Sequence, residues 1–219
     1  MLEAVALRTE SLCKLYRSRS GGARGLAPLS LEVSSGEAVA LCGPNGSGKT
    51  TALRIVSTLV EPTSGRAAVF GHDVVRRALL VRSAIGVVLA STRSFYWRLS
   101  ARHNLMFFAS TQGVRPGVAD ERIARLVDEL EIDTQVMRTA ARRLSRGTLA
   151  RLSLARALLH APRLLLLDEP LSAVDRPSRD LVWRVLDRRR RLGLALLVAT
   201  HDPSVVERCD RAVSIRPPA

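Results

Sequence analysis

The spacing of apolar positions changes several times along the chain, and each change marks an element. Residues 38–42 are an unbroken apolar run, Ala38-Val39-Ala40-Leu41-Cys42, of the kind buried on both faces of a parallel sheet. A glycine-rich stretch over 43–49 follows. Residues 50–59 then read as a helix, and Pro62 and Gly65 end that unit. Upstream, 2–42 read as short strands broken at Gly21-Gly22 and at Ser34-Ser35-Gly36. Residues 85–89 are a further strand candidate. From 100 to about 159 the period becomes helical: Ile123, Leu126, Val127 and Leu130 fall at i, i+3, i+4 and i+7. Four leucines over 164–167 predict a buried strand, 181–191 a helix, and 194–200 another strand. Strand and helix patterns alternate at both ends around a helical middle. That predicts a parallel α/β core carrying an α-helical subdomain.

Composition narrows the class. The chain has 219 residues, 47% apolar and 25% charged, which is globular composition with enough length to bury a sizeable core. The best apolar run, 192–199, is far shorter than the about 20 residues a membrane-spanning helix needs. The N-terminus lacks a basic start followed by an apolar block, so a cytoplasmic chain is expected. Cys13, Cys42 and Cys209 are widely spaced and form no metal-ligand pattern, and three reduced structural thiols are expected. The net charge is +14, carried almost wholly by arginine, since Lys14 and Lys49 are the only lysines. Such a balance attracts nucleic acid or an anionic membrane surface and is weak evidence for either. The run Arg188 to Arg191 reads as a solvated helix end.

Two motifs carry chemistry. Gly43-Pro44-Asn45-Gly46-Ser47-Gly48-Lys49-Thr50 fits the phosphate-binding loop G-x-x-x-x-G-K-[ST], with Thr51 next in line. Glycines let the backbone wrap a polyphosphate with its N–H groups inward, and the helix that follows adds its positive end. Lys49 supplies a point charge to the β- and γ-phosphates, and the Thr50 hydroxyl is placed to ligate Mg²⁺. The second motif is Leu164-Leu165-Leu166-Leu167-Asp168-Glu169. Its apolar strand delivers Asp168 to the C-terminal end, where α/β ligands bind. There Asp168 can hold Mg²⁺, and Glu169, one residue on, can act as general base on the attacking water.

In their order these residues resemble the ATP-binding subunit of ABC transporters over nearly the whole chain. The resemblance implies a P-loop NTPase core with a mixed or parallel sheet, an N-terminal antiparallel β subdomain and an inserted α-helical subdomain. It implies one nucleotide-binding domain over 1–219, with the core at about 1–90 and 160–219 and the helical part at about 93–159. Tyr16 matches the aromatic residue that stacks on adenine, a core or strand tyrosine being the alternative. Leu144-Ser145-Arg146-Gly147-Thr148 occupies the place of the signature L-S-G-G-Q, ahead of an amphipathic helix over 149–159. By that resemblance Ser145 and Gly147 touch the γ-phosphate of ATP bound to a second subunit, probing it across a head-to-tail dimer. Ser172-Ala173-Val174-Asp175 matches the loop that communicates between subunits, and His201 matches the switch histidine at the γ-phosphate.

Two departures qualify the match. Arg146 and Thr148 replace a signature glycine and the glutamine, a loosened form similar to that of the export branch. The family's glutamine after the strand at 85–89 is replaced by Ala90-Ser91-Thr92-Arg93, since the chain's glutamines are Gln112 and Gln135; slower turnover is expected. Phe95, Tyr96, Trp97, Phe107 and Phe108 make up five of the eight aromatic residues. Aromatic and arginine residues are favoured interface anchors, and in the family a membrane-subunit helix docks here; packing of the helical subdomain's own core is the alternative. The run Ser94-Phe95-Tyr96-Trp97-Arg98-Leu99 resembles ABC-2 type exporters. The expectation is therefore an ATPase subunit of such an exporter. It binds ATP and Mg²⁺, pairs with a second ABC ATPase subunit, identical by expectation, and drives an integral membrane permease from the cytoplasmic face of the membrane. Nucleic acid is not expected as a partner. The alternatives are a soluble ABC-type ATPase acting on nucleic acid or ribosomes, and a regulatory subunit that binds ATP but hydrolyses it poorly.

Overall fold

A computed structural model describes residues 5–17, 23–89, 95–171 and 174–217. The breaks expected at Gly21-Gly22, the segment Ala90-Ser91-Thr92-Arg93-Ser94 and the pair Ser172-Ala173 lie outside the described residues. The chain forms two compact units, one made of residues 1–89, 163–169 and 190–219, the other of 90–162 and 170–189.

The first unit holds two sheets. β1 (Val5–Arg17), β2 (Ala23–Ser34), β4 (Ser64–Val69) and β5 (His72–Asp73) form an antiparallel sheet in the order β2-β1-β4-β5. The N-terminal strands are long rather than short: β1 runs through a register shift near Ser11, whose φ of 45° marks the irregularity. The antiparallel sheet is also not purely N-terminal, because β4 and β5 come after the glycine loop. The other sheet contains β3 (Ala38–Cys42), β6 (Ile85–Val88), β7 (Leu164–Asp168), β8 (Ala195–Thr200) and β9 (Arg211–Ser214). Its order is β6-β7-β8-β3-β9, and every pairing in it is parallel. Leucines and valines line both faces of β7 and β8, as a strand covered on two sides requires. One core joins the two sheets, with Leu31 and Val33 of β2 in the same cluster as Leu41, Leu166 and Leu197. Burying each such side chain stabilises the fold by about 2 kcal/mol.

Helix α1 (Lys49–Val56) starts at the glycine loop and stops three residues short of the sequence expectation. Thr58 turns left-handed at φ 63°, with Thr58 N–H donating to Ile55 O (2.9 Å) and Leu59 N–H to Arg54 O (2.9 Å). This is a Schellman stop, made by threonine where glycine is usual. Short helices α2 (Ala78–Ala84) and α8 (Pro203–Val206) complete the unit.

The second unit is helical: α3 (Ala101–Thr111), α4 (Pro116–Glu129), α5 (Thr134–Arg138), α6 (Arg146–Leu158) and α7 (Arg176–Arg190). Ile123, Leu126 and Leu130 are buried as their spacing requires, while Val127 is only half-buried. Two helices begin earlier than the apolar pattern suggests, because polar caps set their starts. Ser145 caps α6 by accepting from Thr148 N–H (3.1 Å), so Arg146, Gly147 and Thr148 form its first turn instead of preceding it. Asp175 accepts from Ser178 N–H (2.9 Å) at the start of α7. Within this unit Arg188 and Arg189 both pair with Glu129, and in the first unit Arg190 pairs with Asp210. The arginine run expected to be solvated is therefore mostly ion-paired.

Candidate functional site

The order β7-β8-β3 places three chain segments side by side at the C-terminal ends of neighbouring strands: the glycine loop after β3, Asp168 and Glu169 at the end of β7, and Thr200 and His201 at the end of β8. Such strand ends are where open α/β sheets bind ligands.

Backbone conformation builds the loop. Gly43, Gly46 and Gly48 take φ of 156°, 83° and 102°. Close approach also excludes a side chain at two of them: a Cβ on Gly48 would lie 2.5 Å from Gly25 O, and one on Gly43 2.4 Å from Ile215 O. Pro44 and Asn45 are exposed, Thr51 is half-buried, and Ser47 is buried with no hydrogen-bond partner for its Oγ among the described residues. The Lys49 ammonium, also buried, donates to Gly43 O (2.6 Å) and Pro44 O (3.1 Å), so the cation lies within the loop. Tyr16 pairs with Arg24 on β2, one step from the Leu15–Gly25 pair whose glycine touches Gly48. It is half-exposed, with Lys14 Nζ 5.5 Å from its ring centre. Tyr16 is therefore not a core tyrosine, but it is a strand residue on β1, as the other half of the alternative had it.

Thr50 Oγ1 donates to both Asp168 oxygens, at 3.2 and 3.0 Å. Burial pushes the Asp168 carboxyl above the usual range, and the Thr50 hydrogen bond only partly offsets it. Glu169 sits at φ 47°, a left-handed conformation that non-glycine residues seldom adopt and that concentrates at functional sites. Its N–H donates to Ala199 O (2.9 Å). One carboxylate oxygen lies 2.6 Å from His201 Nδ1 and accepts from His201 N–H (3.1 Å), while the other accepts from Thr200 Oγ1 (3.3 Å). The Glu169 side chain is 19% exposed and that of His201 65%. Thr200 was not singled out from the sequence; its only signal was its place beside His201.

Ser145, Gly147 and Asp175 form a group in the second unit. A Cβ on Gly147 would lie 3.0 Å from Asp175 Oδ2 and 3.2 Å from Ser178 Oγ. Bonds from the Ser178 backbone N–H and then its hydroxyl hold the Asp175 carboxyl below its usual value.

A family model for ABC transporters matches residues 26–172. The chain belongs to the ABC transporter family. It is 39% identical over 184 residues to a Nod factor export ATP-binding protein I of Sinorhizobium fredii, covering 84% of this chain and 53% of that protein. It is 32% identical over 208 residues to a methionine import ATP-binding protein of Geobacillus kaustophilus, covering 92% of this chain and 60% of that one. The chain thus spans little more than half the length of these curated relatives. The dimeric ATP-binding cassette MJ0796, in a post-hydrolysis state with ADP and Pi, shares its fold at a TM-score of 0.87 and 23% identity, over 96% of this chain and 94% of that one. The P-loop ABC ATPase fold expected from the motifs is therefore the observed one.

The aromatic cluster of this ABC family member divides into inside and outside. Phe95 is 5% exposed and meets Phe108 edge-on, with the Arg156 guanidinium 5.2 and 4.9 Å from the two ring centres. It packs the interior and is not the surface anchor expected. Tyr96 and Trp97 are 51% and 38% exposed, and Phe107 packs on Tyr96 at 4.8 Å. Their turn is held by Asn104, fully buried and unremarked in the sequence. Its Oδ1 accepts from Tyr96 N–H (2.8 Å), and its amide donates to the carbonyls of Tyr96, Leu99 and Ser100 at 3.1, 3.2 and 3.0 Å. No helix among the described residues is long and apolar enough to cross a membrane.

Proposed function

We propose that this chain is the ATP-binding and hydrolysing subunit of an ABC-2 type exporter. Two copies close on ATP and drive a separate integral membrane permease from the cytoplasmic face of the membrane. The observation that carries the reading is the pairing, at neighbouring strand ends, of Thr50 with Asp168 and of Glu169 with His201.

The loop from Gly43 to Thr51 holds the phosphates, and the Lys49 ammonium exchanges its two loop carbonyls for phosphate oxygens. Tyr16 stacks on the base. The oxygen donors Thr50 Oγ1 and Asp168 suit a hard cation such as Mg²⁺, which favours one or two carboxylates completed by substrate phosphates. When bound, the metal neutralises charge building on the phosphate oxygens. Glu169 takes a proton from the water whose oxygen attacks the γ-phosphorus. The bond to the β–γ bridging oxygen breaks, and its electron pair leaves with ADP. Thr200 and His201 hold the carboxylate in its strained position. Ser145 and Gly147 of one copy face the γ-phosphate bound to the other, and Asp175 supports that turn. Binding does mechanical work through the different affinities of the open and closed dimer for ATP. Tyr96 and Trp97, joined by Phe107, present the surface for the permease. Export is supported by the Nod factor export relative and by the loosened signature.

The test is Glu169→Gln, which removes the base and keeps the size of the side chain. We expect MgATP binding to be retained and hydrolysis to fall by about 10²-fold or more; near-normal turnover overturns the assignment. For direction, ATP-dependent uptake instead of efflux by the chain with its permease would overturn the export half of the reading.

A further inference from the structure

The turn that opens α6 has its polar groups unevenly committed. Ser145 Oγ accepts the Thr148 N–H at 3.1 Å and lies 2.9 Å from Thr148 Oγ1, so the hydroxyl is engaged in capping its own helix. A Cβ on Gly147 would press on Asp175 Oδ2 at 3.0 Å and Ser178 Oγ at 3.2 Å, so those side chains would have to shift to admit one. The Asp175 carboxylate is itself engaged with the Ser178 N–H at 2.9 Å. Arg146 is different. It is exposed, and among the described residues its guanidinium makes no hydrogen bond or ion pair. Arg142 and Arg143 are likewise exposed, with side chains that have no partner among the described residues. Elsewhere in this unit Arg102 pairs with Asp120, Arg125 with Glu121, Arg184 with Glu131, and Arg188 and Arg189 with Glu129, while Arg98, Arg115, Arg138 and Arg176 are exposed and, like Arg146, have no side-chain partner among the described residues. Arg146 is thus a cation on the signature turn itself without a partner among the described residues, while the neighbouring Asp175 carboxylate is committed to Ser178.

We infer that Arg146 is the cationic contact through which one copy of this chain grips the γ-phosphate of ATP bound to a second copy. The inference rests on the ATP-sandwiched dimer proposed above and adds a residue to it. A guanidinium is permanently charged and offers a planar fork of donors that matches two phosphate oxygens at once. A glycine at this place would offer only a backbone N–H. As the bond to the bridging oxygen breaks, Arg146 stabilises charge on the γ-phosphoryl oxygens and transfers no proton, in the manner of an arginine finger supplied in trans. The contact is lost when phosphate leaves, so it helps the dimer close on ATP and open afterwards.

The experiment uses the full chain carrying Glu169→Gln, with MgATP, and measures self-association by sedimentation equilibrium. In that background Arg146→Ala should raise the dimer dissociation constant about tenfold or more, as truncation of a charged interface anchor does. Arg146→Lys should lose less, and Ser145→Ala less than Arg146→Ala. MgATP affinity, measured at concentrations where the chain is monomeric, should stay within about twofold of the parent, since the fold-change is assigned to the partner's phosphate. Alanine favours helix, and an unchanged circular dichroism melt would show that the start of α6 survives. An Arg146→Ala chain that dimerises as tightly as its parent overturns the inference and leaves the split site standing. A parent chain that stays monomeric with MgATP overturns the split site itself, and Arg146 with it.

Discussion

At the scale of single residues, the site combines groups that are costly to hold. Asp168 is almost fully buried beside Thr50 with its ionisation opposed by that burial. Asp168→Asn, which keeps the acceptor for Thr50 and removes the charge, should therefore raise nucleotide-free stability by about 1 kcal/mol. The same variant should abolish Mg²⁺-dependent tightening of ATP binding. Thermal melts with and without MgATP check both halves, and a nucleotide-free chain that melts lower than its parent would contradict the first. Glu169 adds backbone strain to this cost. The leucine run followed by Asp-Glu made its place at the strand end legible, whereas its left-handed φ was not, because nothing in the residue type signals it. Three bonds from Thr200 and His201 keep the carboxylate in place.

At the scale of elements, caps outweigh apolar periodicity. Periodicity placed a helix start at 149 and another at 181. Ser145 and Asp175 moved them to Arg146 and Arg176 by satisfying backbone N–H groups of the first turn. At the other end of α1 the stop was hidden, because Thr58 takes a conformation usually signalled by glycine. β9 was missed because Arg-Ala-Val-Ser at a sheet edge carries no apolar run; only its pairing with β3 defines it. The cap on α7 makes a pH prediction. Hydrogen bonds from Ser178 lower the Asp175 pKa in the folded chain relative to the unfolded one. Its stabilising contribution is thus present above the ordinary carboxylate pKa of about 3.9 and is lost as pH falls through the lower folded value. Melts from pH 7 down to 3 should show Asp175→Asn with a shallower acid loss than the parent; parallel acid limbs would remove the cap from the account.

At the scale of the whole molecule, the buried strands, the phosphate loop and the order of motifs were all legible, because each is a local pattern with one physical meaning. What the local pattern could not supply was partition. Among the five clustered aromatics, composition alone did not separate Phe95, which packs inward on Arg156, from Tyr96 and Trp97, which face solvent. The overall charge of +14 likewise hid which acidic groups pair with arginine, among them Glu10, Glu32, Glu37, Glu129 and Asp210. Such exposed pairs contribute little stability each. Trp97→Ala should cut co-purification with the membrane subunit about tenfold while basal ATP hydrolysis stays within twofold. Equal recovery of the permease by parent and variant would remove this face from the interface.

Asn104 grips the 96–100 turn wholly through main-chain atoms, the N–H and carbonyl of Tyr96 and the carbonyls of Leu99 and Ser100. The bracket therefore depends on no side chain at 96, 97 or 98, the Tyr96 ring adding only its contact with Phe107. On the permease surface proposed above, the expected consequence is that a lineage, or an engineer, re-addresses such a cassette to a different membrane mate by rewriting these positions while the backbone beneath them keeps its anchor.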